Sequence, residues 1–424
     1  MTAEQSYEDA GDGLAHPFVK PFDVQKVRND FPALHQTVHG KPLVYLDSAA
    51  TSLKPSVVID AVASVYGRDC ANIHRGVHLL SARATERFEA VRTQVAEHIG
   101  ASSRSEIVFT SGATSGLNLL ASTLTQAHVR SGDRVLVSMM EHHSNIVPWQ
   151  LACERVGAMV VPIPLDKAGA LSLEAYANLL DTKPKIVAFT HVSNATGIVN
   201  PVQKIAAMAR DAGALSVIDG TQAVPHLEVN VAEIGVDFYV FSSHKAYGPN
   251  GVGVVYGHKA LLDALPPYQG GGDMIRNVSF SGTTFADPPT RFEAGTPNIS
   301  GVIGMGVALA YLRNLGSDAR VHEKSVLNYA KTRLRELPQV SLVGDSEHQV
   351  GSVSFVIEGV HPHDVGTLLD KAGVAVRVGH HCTQPLMEHF GVPATVRASF
   401  GVYSTCDDVD RLCDAVNATV AFFR

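Results

Sequence analysis

Residues 238–257 read FYVFSSHKAYGPNGVGVVYG, and this stretch decides the fold. Its first four residues are aromatic or β-branched, which favours a strand, and residues 252–256 predict a second strand after the Gly248-Pro249 turn. Lys245 lies between the two, beside hydroxyl groups and His244. Because lysine is rarely buried without a reason, this position indicates either a charge pair or a desolvated lysine that forms a Schiff base with a carbonyl cofactor.

Outward from this stretch, strands alternate with helices. Helical patterns lie between several of the predicted strands, at 115–124, 174–180 and 201–212. The predicted strands are 107–110, 134–138, 159–163, 186–192, 215–219 and 238–242. Such alternation predicts an α/β fold with a mainly parallel sheet that is covered by helices on both faces. Two helices precede the series, at 55–70 and 85–99, and Thr85 is the predicted cap of the second.

The order of elements changes near residue 301. Helices are predicted at 302–315 and 320–336, strands at 352–357, 374–378 and 396–400, and a last helix at 407–423. This order indicates a smaller α+β domain. The sequence therefore predicts a mobile, acidic N-terminal extension at 1–20, a large domain at 36–300, and a small domain formed by 21–35 with 301–424.

The charge balance argues against polyanionic partners. The 424 residues carry 34 basic and 41 acidic side chains, a net charge of −7, and no basic run. We therefore expect neither nucleic acid nor an anionic membrane surface as a partner. The longest apolar run, near 302–312, is too short to span a bilayer.

Cysteine usage indicates a reducing compartment. The sequence has five cysteines, an odd number without a CxxC motif, which argues against a disulfide framework and against a zinc site. The first 13 residues are acidic and have no apolar core, unlike a signal peptide. The sequence thus predicts a cytoplasmic protein with no bound metal.

Polar side chains follow the ends of several predicted strands. Ligands of open α/β sheets bind outside the carboxyl ends of the strands, so these residues predict one pocket. They are the small-residue loop SGATSG at 111–116, His142, Asn194, Asp219 with Gln222, and Lys245. Each alone has an ordinary explanation, such as a loop before a helix, a core histidine, a turn cap or a solvated lysine. A nucleotide-binding site is disfavoured because neither GxGxxG nor GxxxxGK[ST] occurs.

A second cluster, RVGHHCTQP, spans residues 377–385. Cys382 follows two histidines and Arg377, surroundings typical of a reactive thiol, although a structural cysteine is the ordinary alternative. Two adjacent histidines do not easily converge on one metal ion. Arg397 is a planar, permanently charged group that suits a substrate carboxylate, or else forms an ordinary ion pair.

From about residue 22 to its C-terminus, the chain resembles the aminotransferase class V group of pyridoxal-phosphate enzymes, and within it the SUF-type cysteine desulfurases. The motifs are YLDSAATSLKP, NIHRGVHLLSARAT, MEHHSNIVPWQ, HVSNATG, DGTQAVPH, FSSHKAYGPNGVGVVY, RFEAGTPN, RVGHHCTQPLM and VRASFGVYST. The RVGHHC stretch is typical of the branch with a short catalytic-cysteine loop. The resemblance implies a fold-type I enzyme whose large, cofactor-binding domain has a seven-stranded sheet.

The resemblance also implies roles for the residues at the strand ends. Lys245 carries the Schiff base of pyridoxal 5'-phosphate, Asp219 pairs with the pyridinium nitrogen, and His142 stacks on the ring. Gln222 and Asn194 lie at the phenolic oxygen. The implied phosphate ligands are Ala113 (through its backbone N–H), Thr114, Ser242, His244 and, across a dimer interface, Thr296.

The implied substrate is L-cysteine. Arg397, with Asn194, binds its carboxylate, while His74 and Arg377 match further positions that line the site. Lys245 removes the α-proton and Cys382 takes the sulfur as a persulfide, which leaves L-alanine. The expected partners are a second copy of the chain and a SUF-system acceptor protein that carries sulfur to iron–sulfur clusters. Two alternatives remain, a selenocysteine lyase and a pyridoxal-phosphate-binding scaffold for a sulfur-transfer partner.

Overall fold

The computed structural model describes residues 22–424. The extension predicted at 1–20 lies outside the described residues. The helices are α1 Val24–Asn29, α2 Ser56–Arg68, α3 Leu79–His98, α4 Ala113–His128, α5 Val147–Val156, α6 Leu173–Leu180, α7 Val202–Asp211, α8 Val231–Ile234, α9 Lys259–Ala264, α10 Ile299–Arg335, α11 Pro362–Lys371, α12 Gln384–Phe390 and α13 Cys406–Phe423. The strands are β1 Thr37–Val38, β2 Lys41–Pro42, β3 Val44–Tyr45, β4 Ile107–Thr110, β5 Arg134–Ser138, β6 Met159–Ile163, β7 Ile186–Thr190, β8 Leu215–Asp219, β9 Phe238–Ser242, β10 Gly253–Gly257, β11 Ile275–Ser279, β12 Gly282–Phe285, β13 Val340–Val343, β14 Ser352–Ile357, β15 Val374–Ala375, β16 Arg377–Gly379 and β17 Thr395–Ser399.

A seven-stranded sheet forms the centre of the large domain, in the order β4-β10-β9-β8-β7-β5-β6. Strand β10 is antiparallel to both of its neighbours, while the ladders from β9 to β6 are parallel. Separate apolar cores cover its two faces, so central strands such as β7 are buried throughout. The predicted mainly parallel, seven-stranded α/β architecture is confirmed.

The C-terminal part of the chain forms a second sheet, β13-β14-β17-β16, which is antiparallel. Its apolar face packs against α11, α13 and the second half of α10. Strand β3 pairs in parallel with β15, so a segment assigned to the large domain is bonded to a strand of the small one. The division at residues 36 and 301 otherwise stays a prediction.

Several predicted boundaries were wrong. Helix α3 begins at Leu79, and His78 caps it by accepting the Ser81 N–H at 3.3 Å. Thr85 is not the cap, because it lies inside the helix and its hydroxyl donates to the Ser81 carbonyl at 2.7 Å. The strand predicted at 374–378 is two strands, β15 and β16, which have different partners. The exposed hairpin β11–β12 was not predicted.

Helix α10 runs from one domain to the other. Its backbone breaks at Gly316, where φ is 72° and ψ is −166°, close to the gap predicted between two helices. By length and composition alone α10 passes as a membrane span, but half of its apolar window is buried within the protein. Gly304 and Gly306 contact α2, α3 and Pro249 closely, so this helix is packed into the core.

Candidate active site

A cavity of about 190 Å³ opens where β7, β8 and β9 end. Its walls come from both domains, as expected for the mouth of an open sheet. Twelve of the predicted site residues line it together: Ala113, Thr114, His142, Asn194, Asp219, Gln222, Ser242, His244, Lys245, Arg377, Cys382 and Arg397. The structure thus collects these side chains in one place, while their individual roles stay predictions.

Two predicted site residues lie elsewhere. The His74 ring bonds to Glu89 at 3.1 Å on the surface of α3. Thr296 lies in a neighbouring pocket beside Tyr268 and Ser111. The resemblance assigned Thr296 to the site of a partner subunit, and its place outside this chain's cavity agrees with that assignment without testing it.

The N-terminus of α4 forms one end of the cavity. The Ala113 N–H donates to Ser242 Oγ at 2.7 Å, and Thr114 is the next residue of the helix. The chain reaches this turn through Gly112, whose φ of 147° favours glycine. Behind it, a side chain at Gly253 would come within 2.4 Å of the Gly112 backbone. A helix N-terminus with hydroxyl groups around it attracts an anion such as a phosphate.

A buried carboxylate lies deeper in the cavity, at the end of β8. Asp219 is 6% exposed, and its Oδ1 accepts the Thr221 N–H at 2.9 Å. Burial raises the pKa of Asp219. The buried Thr221 Oγ1 has no partner within residues 22–424, so a polar atom in this wall is free for a ligand.

The imidazole of His142 is neutral near pH 7. Burial, followed by the charge of Lys245, lowers the pKa of His142 to about 4. Its Nδ1 accepts a hydrogen bond from the Ser144 N–H at 3.1 Å and lies 2.8 Å from the Ser144 hydroxyl oxygen. These contacts fix the ring. A fixed, neutral ring suits stacking on a flat ligand.

The amine of Lys245 is buried in the wall of the cavity. Burial and the nearby Arg397 charge lower the pKa of Lys245 to about 8, although Asp219 acts in the opposite direction. About one tenth of the side chain is therefore a free amine at pH 7, far more than for an ordinary lysine, and Schiff-base and general-base chemistry requires this form.

Arg397 places a buried guanidinium in the wall of the cavity. It is 2% exposed, and it donates to the Asn194 carbonyl at 2.6 Å and to Asp47 Oδ1 at 3.1 Å. Its Nε has no partner within the described chain. Burial lowers the pKa of Arg397 to about 10, yet the group stays charged at neutral pH. A partly paired guanidinium in a cavity is suited to a carboxylate of the substrate.

The loop of Cys382 closes the cavity from the small domain. It consists of residues 380–383, between β16 and α12. The large domain contacts its backbone twice: Asn194 Nδ2 donates to the His381 carbonyl at 2.7 Å, and the His143 N–H donates to the Cys382 carbonyl at 2.8 Å. The partly buried thiol therefore faces the same space as Lys245 and Arg397.

Several residues in or behind the cavity wall were not predicted from the sequence. Glu141 is fully buried, and it accepts the Asn145 amide at 2.6 Å and the Thr190 N–H at 2.7 Å. Burial is the main cause that raises its pKa to about 8. Its place directly before His142 was the available signal. Glu141 lies behind the wall of the cavity, and the missed residues that line it are Ala49, Ala50, Ser144, Thr190, Val192, Thr221 and His381. Within residues 22–424, no group of three or more His, Cys, Asp or Glu is arranged to bind a metal ion.

Comparison with known proteins assigns the family. Residues 44–412 match the family "Aminotransferase class-V". The chain belongs to this family. Its members depend on pyridoxal phosphate, and the cavity fits that group: it offers an anion site at α4, the buried Asp219, the unpartnered Thr221 hydroxyl and the amine of Lys245.

Close relatives are cysteine desulfurases. The chain is 48% identical over 393 residues to the "Cysteine desulfurase" of Escherichia coli O7:K1 (strain IAI39 / ExPEC), which covers 92% of this chain and 97% of that one. Among solved structures, the cysteine desulfurase CsdA of Escherichia coli superposes with a TM-score of 0.88 at 37% identity, covering 95% of this chain and all of that one. The apo cysteine desulfurase of Thermococcus onnurineus NA1 gives 0.89 at 38% identity, with 94% and 98% covered. The chain is therefore an enzyme of the cysteine desulfurase family.

Proposed function

We propose that this enzyme converts L-cysteine to L-alanine, leaves the sulfur as a persulfide on Cys382, and supplies it to iron–sulfur cluster assembly of the SUF type. One observation carries the proposal: Lys245, Asp219, Arg397 and Cys382 line a single cavity, although they lie far apart in the sequence. A scaffold that only binds the cofactor would need neither a carboxylate-binding arginine nor a cysteine there.

The residues divide the reaction between them. Arg397 binds the substrate carboxylate through the side of its guanidinium that has no protein partner. Pyridoxal phosphate, held by Lys245, Asp219 and the α4 N-terminus, supplies an electron sink for the α-carbon. The free amine of Lys245 accepts the α-proton. Cys382 Sγ forms a bond to the substrate sulfur as the Cβ–S bond breaks. The electron pair of that bond stays on carbon, which takes up a proton to give alanine.

The length of the cysteine loop supports the SUF-type assignment. Four residues between β16 and α12 reach at most about 14 Å when fully extended, and the bonds from His143 and Asn194 restrain them further. The persulfide therefore stays at the mouth of the cavity. An acceptor protein has to bring its own thiol to this mouth, as we propose for a SUF-system partner.

We also propose a homodimer in a reducing, cytoplasmic environment. All five cysteines are free thiols, which favours such a compartment. Apolar side chains at the start of α3, at 77–80, and of the β11–β12 hairpin are exposed. Arg75, shortly before α3, pairs with Asp273, shortly before β11, at 2.9 Å, and we propose that the two segments form one surface. A second copy that covers this surface would bring its Thr296 to the cofactor phosphate.

The decisive experiment uses purified enzyme and L-cysteine. We expect stoichiometric alanine and sulfide in the presence of a reductant, and a mass increase of one sulfur atom on the Cys382 peptide in its absence. Cys382→Ala abolishes persulfide formation, whereas Cys406→Ala, at an exposed cysteine outside the cavity, leaves it unchanged. Full sulfur release by Cys382→Ala would refute the assignment. Restored iron–sulfur enzyme activity in a bacterial strain that lacks its SUF-type desulfurase tests the pathway.

A further inference from the structure

The loop that carries Cys382 has a strained backbone. His381 and Cys382 both have positive φ angles, of 51° and 58°. Residues with a Cβ atom rarely adopt this region, and they stay there only when surrounding contacts hold them. The contacts that hold this loop therefore decide where the thiol lies.

Two histidines outside the proposed reaction supply such contacts. His380 Nδ1 accepts the Cys382 N–H at 3.1 Å. From the large domain, His143 Nε2 accepts the Gln384 N–H at 3.2 Å, and the His143 N–H donates to the Cys382 carbonyl at 2.8 Å. The two rings lie 5.5 Å apart, at 37° to one another. Together they bond the backbone on both sides of the thiol.

His143 also connects the thiol with the cofactor side of the cavity. It follows His142 directly, and both residues lie in the turn between β5 and α5. The buried Glu141 fixes this turn, because its carboxylate accepts hydrogen bonds from the Asn145 side chain and from the Thr190 N–H at the end of β7. The rigid turn that places the His142 ring therefore also sets the position of the cysteine loop.

We propose that His143 and His380 are positioning residues: as a two-histidine clamp, they hold the Cys382 loop against the large domain so that the thiol meets the substrate sulfur. This inference rests on the proposed role of Cys382. The clamp acts through backbone bonds, and neither ring needs to transfer a proton.

The bonds can be kept while the imidazole is removed. Asparagine Oδ1 can take the place of histidine Nδ1, and glutamine Oε1 can take the place of histidine Nε2, as acceptors of the same N–H groups. His380→Asn and His143→Gln therefore preserve the clamp, whereas His380→Leu and His143→Leu remove one bond each. His361→Leu is the matched control, because His361 Nδ1 accepts the His363 N–H at 3.2 Å on α11, outside the cavity.

The test measures two quantities on each holoenzyme at one pH. The first is the rate of iodoacetamide alkylation at Cys382, followed by peptide mass spectrometry because Cys70 and Cys406 are exposed too. The second is kcat and KM for alanine release. For each leucine variant we expect alkylation to rise roughly threefold to tenfold, as the loss of one hydrogen bond implies. We expect kcat to fall by a similar factor, with KM for cysteine unchanged.

Rescue decides between positioning and other roles. We expect His380→Asn and His143→Gln to restore both quantities to within about twofold of the native enzyme, and His361→Leu to change neither. Unchanged alkylation or unchanged kcat in both leucine variants overturns the clamp, as does failure of both amide variants to rescue. Failure of the proposed function looks different: the native enzyme then forms no alanine from cysteine, while the alkylation differences persist.

Discussion

At the scale of single residues, the proposed chemistry depends on two basic side chains that the fold buries, Lys245 and Arg397. Lys245 and Arg397 line the same cavity, and burial is the main cause that lowers both pKa values. The Arg397 charge lowers the pKa of Lys245 further, and the Arg377 charge lowers that of Arg397. The lysine, with its lower ordinary pKa, becomes partly neutral, while the arginine stays charged. One cavity therefore holds a nucleophilic amine and a permanent cation side by side.

The pH dependence of cofactor attachment follows from the Lys245 pKa of about 8. Below that pH the ammonium form dominates and cannot attack the aldehyde of pyridoxal phosphate. Above it the free amine is present, so we expect covalent uptake by the apoenzyme to rise about tenfold between pH 7 and pH 9 and then to level off. Borohydride reduction followed by quantification of the Lys245 peptide measures this. Uptake that keeps rising towards pH 10.5 would show an ordinary, unshifted lysine.

Arg397→Lys separates binding of the substrate carboxylate from the later chemistry. Lysine keeps a positive charge but loses the planar fork that bonds to Asn194 and Asp47 while Nε remains free. We expect KM for cysteine to rise roughly tenfold to hundredfold, the loss of a charge-assisted hydrogen bond. Steady-state kinetics measure it. Arg28→Lys is the control, since Arg28 pairs with Asp408 away from the cavity. Equal KM values in both variants would contradict the assignment.

The sequence could reveal residues at strand ends but not their long-range pairs. Asp219 and Lys245 were found because they lie at or just after the ends of buried strands, and Cys382 because two histidines and Arg377 precede it. The bond between Arg397 and Asp47 joins residues 350 positions apart, and only the pairing of the loop after β3 with β17 brings them together. Glu141 was missed because its carboxylate binds backbone and amide groups that no spacing rule predicts.

At the scale of elements, α10 connects the two halves of the site. Its first half packs on α2 and α3, and its second half packs on the small-domain sheet. The break at Gly316 allows one continuous segment to serve both cores. The sequence predicted two helices with a gap here, because the apolar pattern is interrupted, but it did not show that they join at a single residue.

Gly316→Ala tests whether this break needs glycine. A side chain at φ 72° and ψ −166° is strained although nothing lies within 4 Å of it, so we expect a loss of about 1–3 kcal/mol in the free energy of unfolding. Gly67→Ala is the matched control: it also meets nothing within 4 Å, but it lies in regular helix α2, where alanine stabilises by about 0.5–1 kcal/mol. Urea denaturation compares the two. Destabilisation of equal size in both would show that the break is not the cause.

At the scale of the whole molecule, the segment before and at the start of α3 and the β11–β12 hairpin carry exposed apolar side chains. Phe280, Val77 and Leu79 are exposed there, and Thr296 lies in the pocket next to the α4 N-terminus. Exposed apolar groups concentrated on one face indicate a protein interface. Thr296 was assigned to the phosphate site only through the family resemblance. A single sequence contains no signal of which residues meet across an interface.

Charge placed on this surface tests the proposed dimer. Phe280→Asp combined with Leu79→Asp would bury two carboxylates at the interface between the copies, so we expect the dimer to dissociate at least about tenfold more readily. Sedimentation velocity of the holoenzyme over a range of concentrations measures this. Phe422→Asp, which charges another exposed phenylalanine at the end of α13, controls for a general effect of charge. Because Thr296 of the second copy would reach the cofactor phosphate, the monomeric variant should also lose pyridoxal phosphate faster on dialysis. A variant that stays dimeric, or a native enzyme that sediments as a monomer, would contradict the proposal that this surface is the dimer interface.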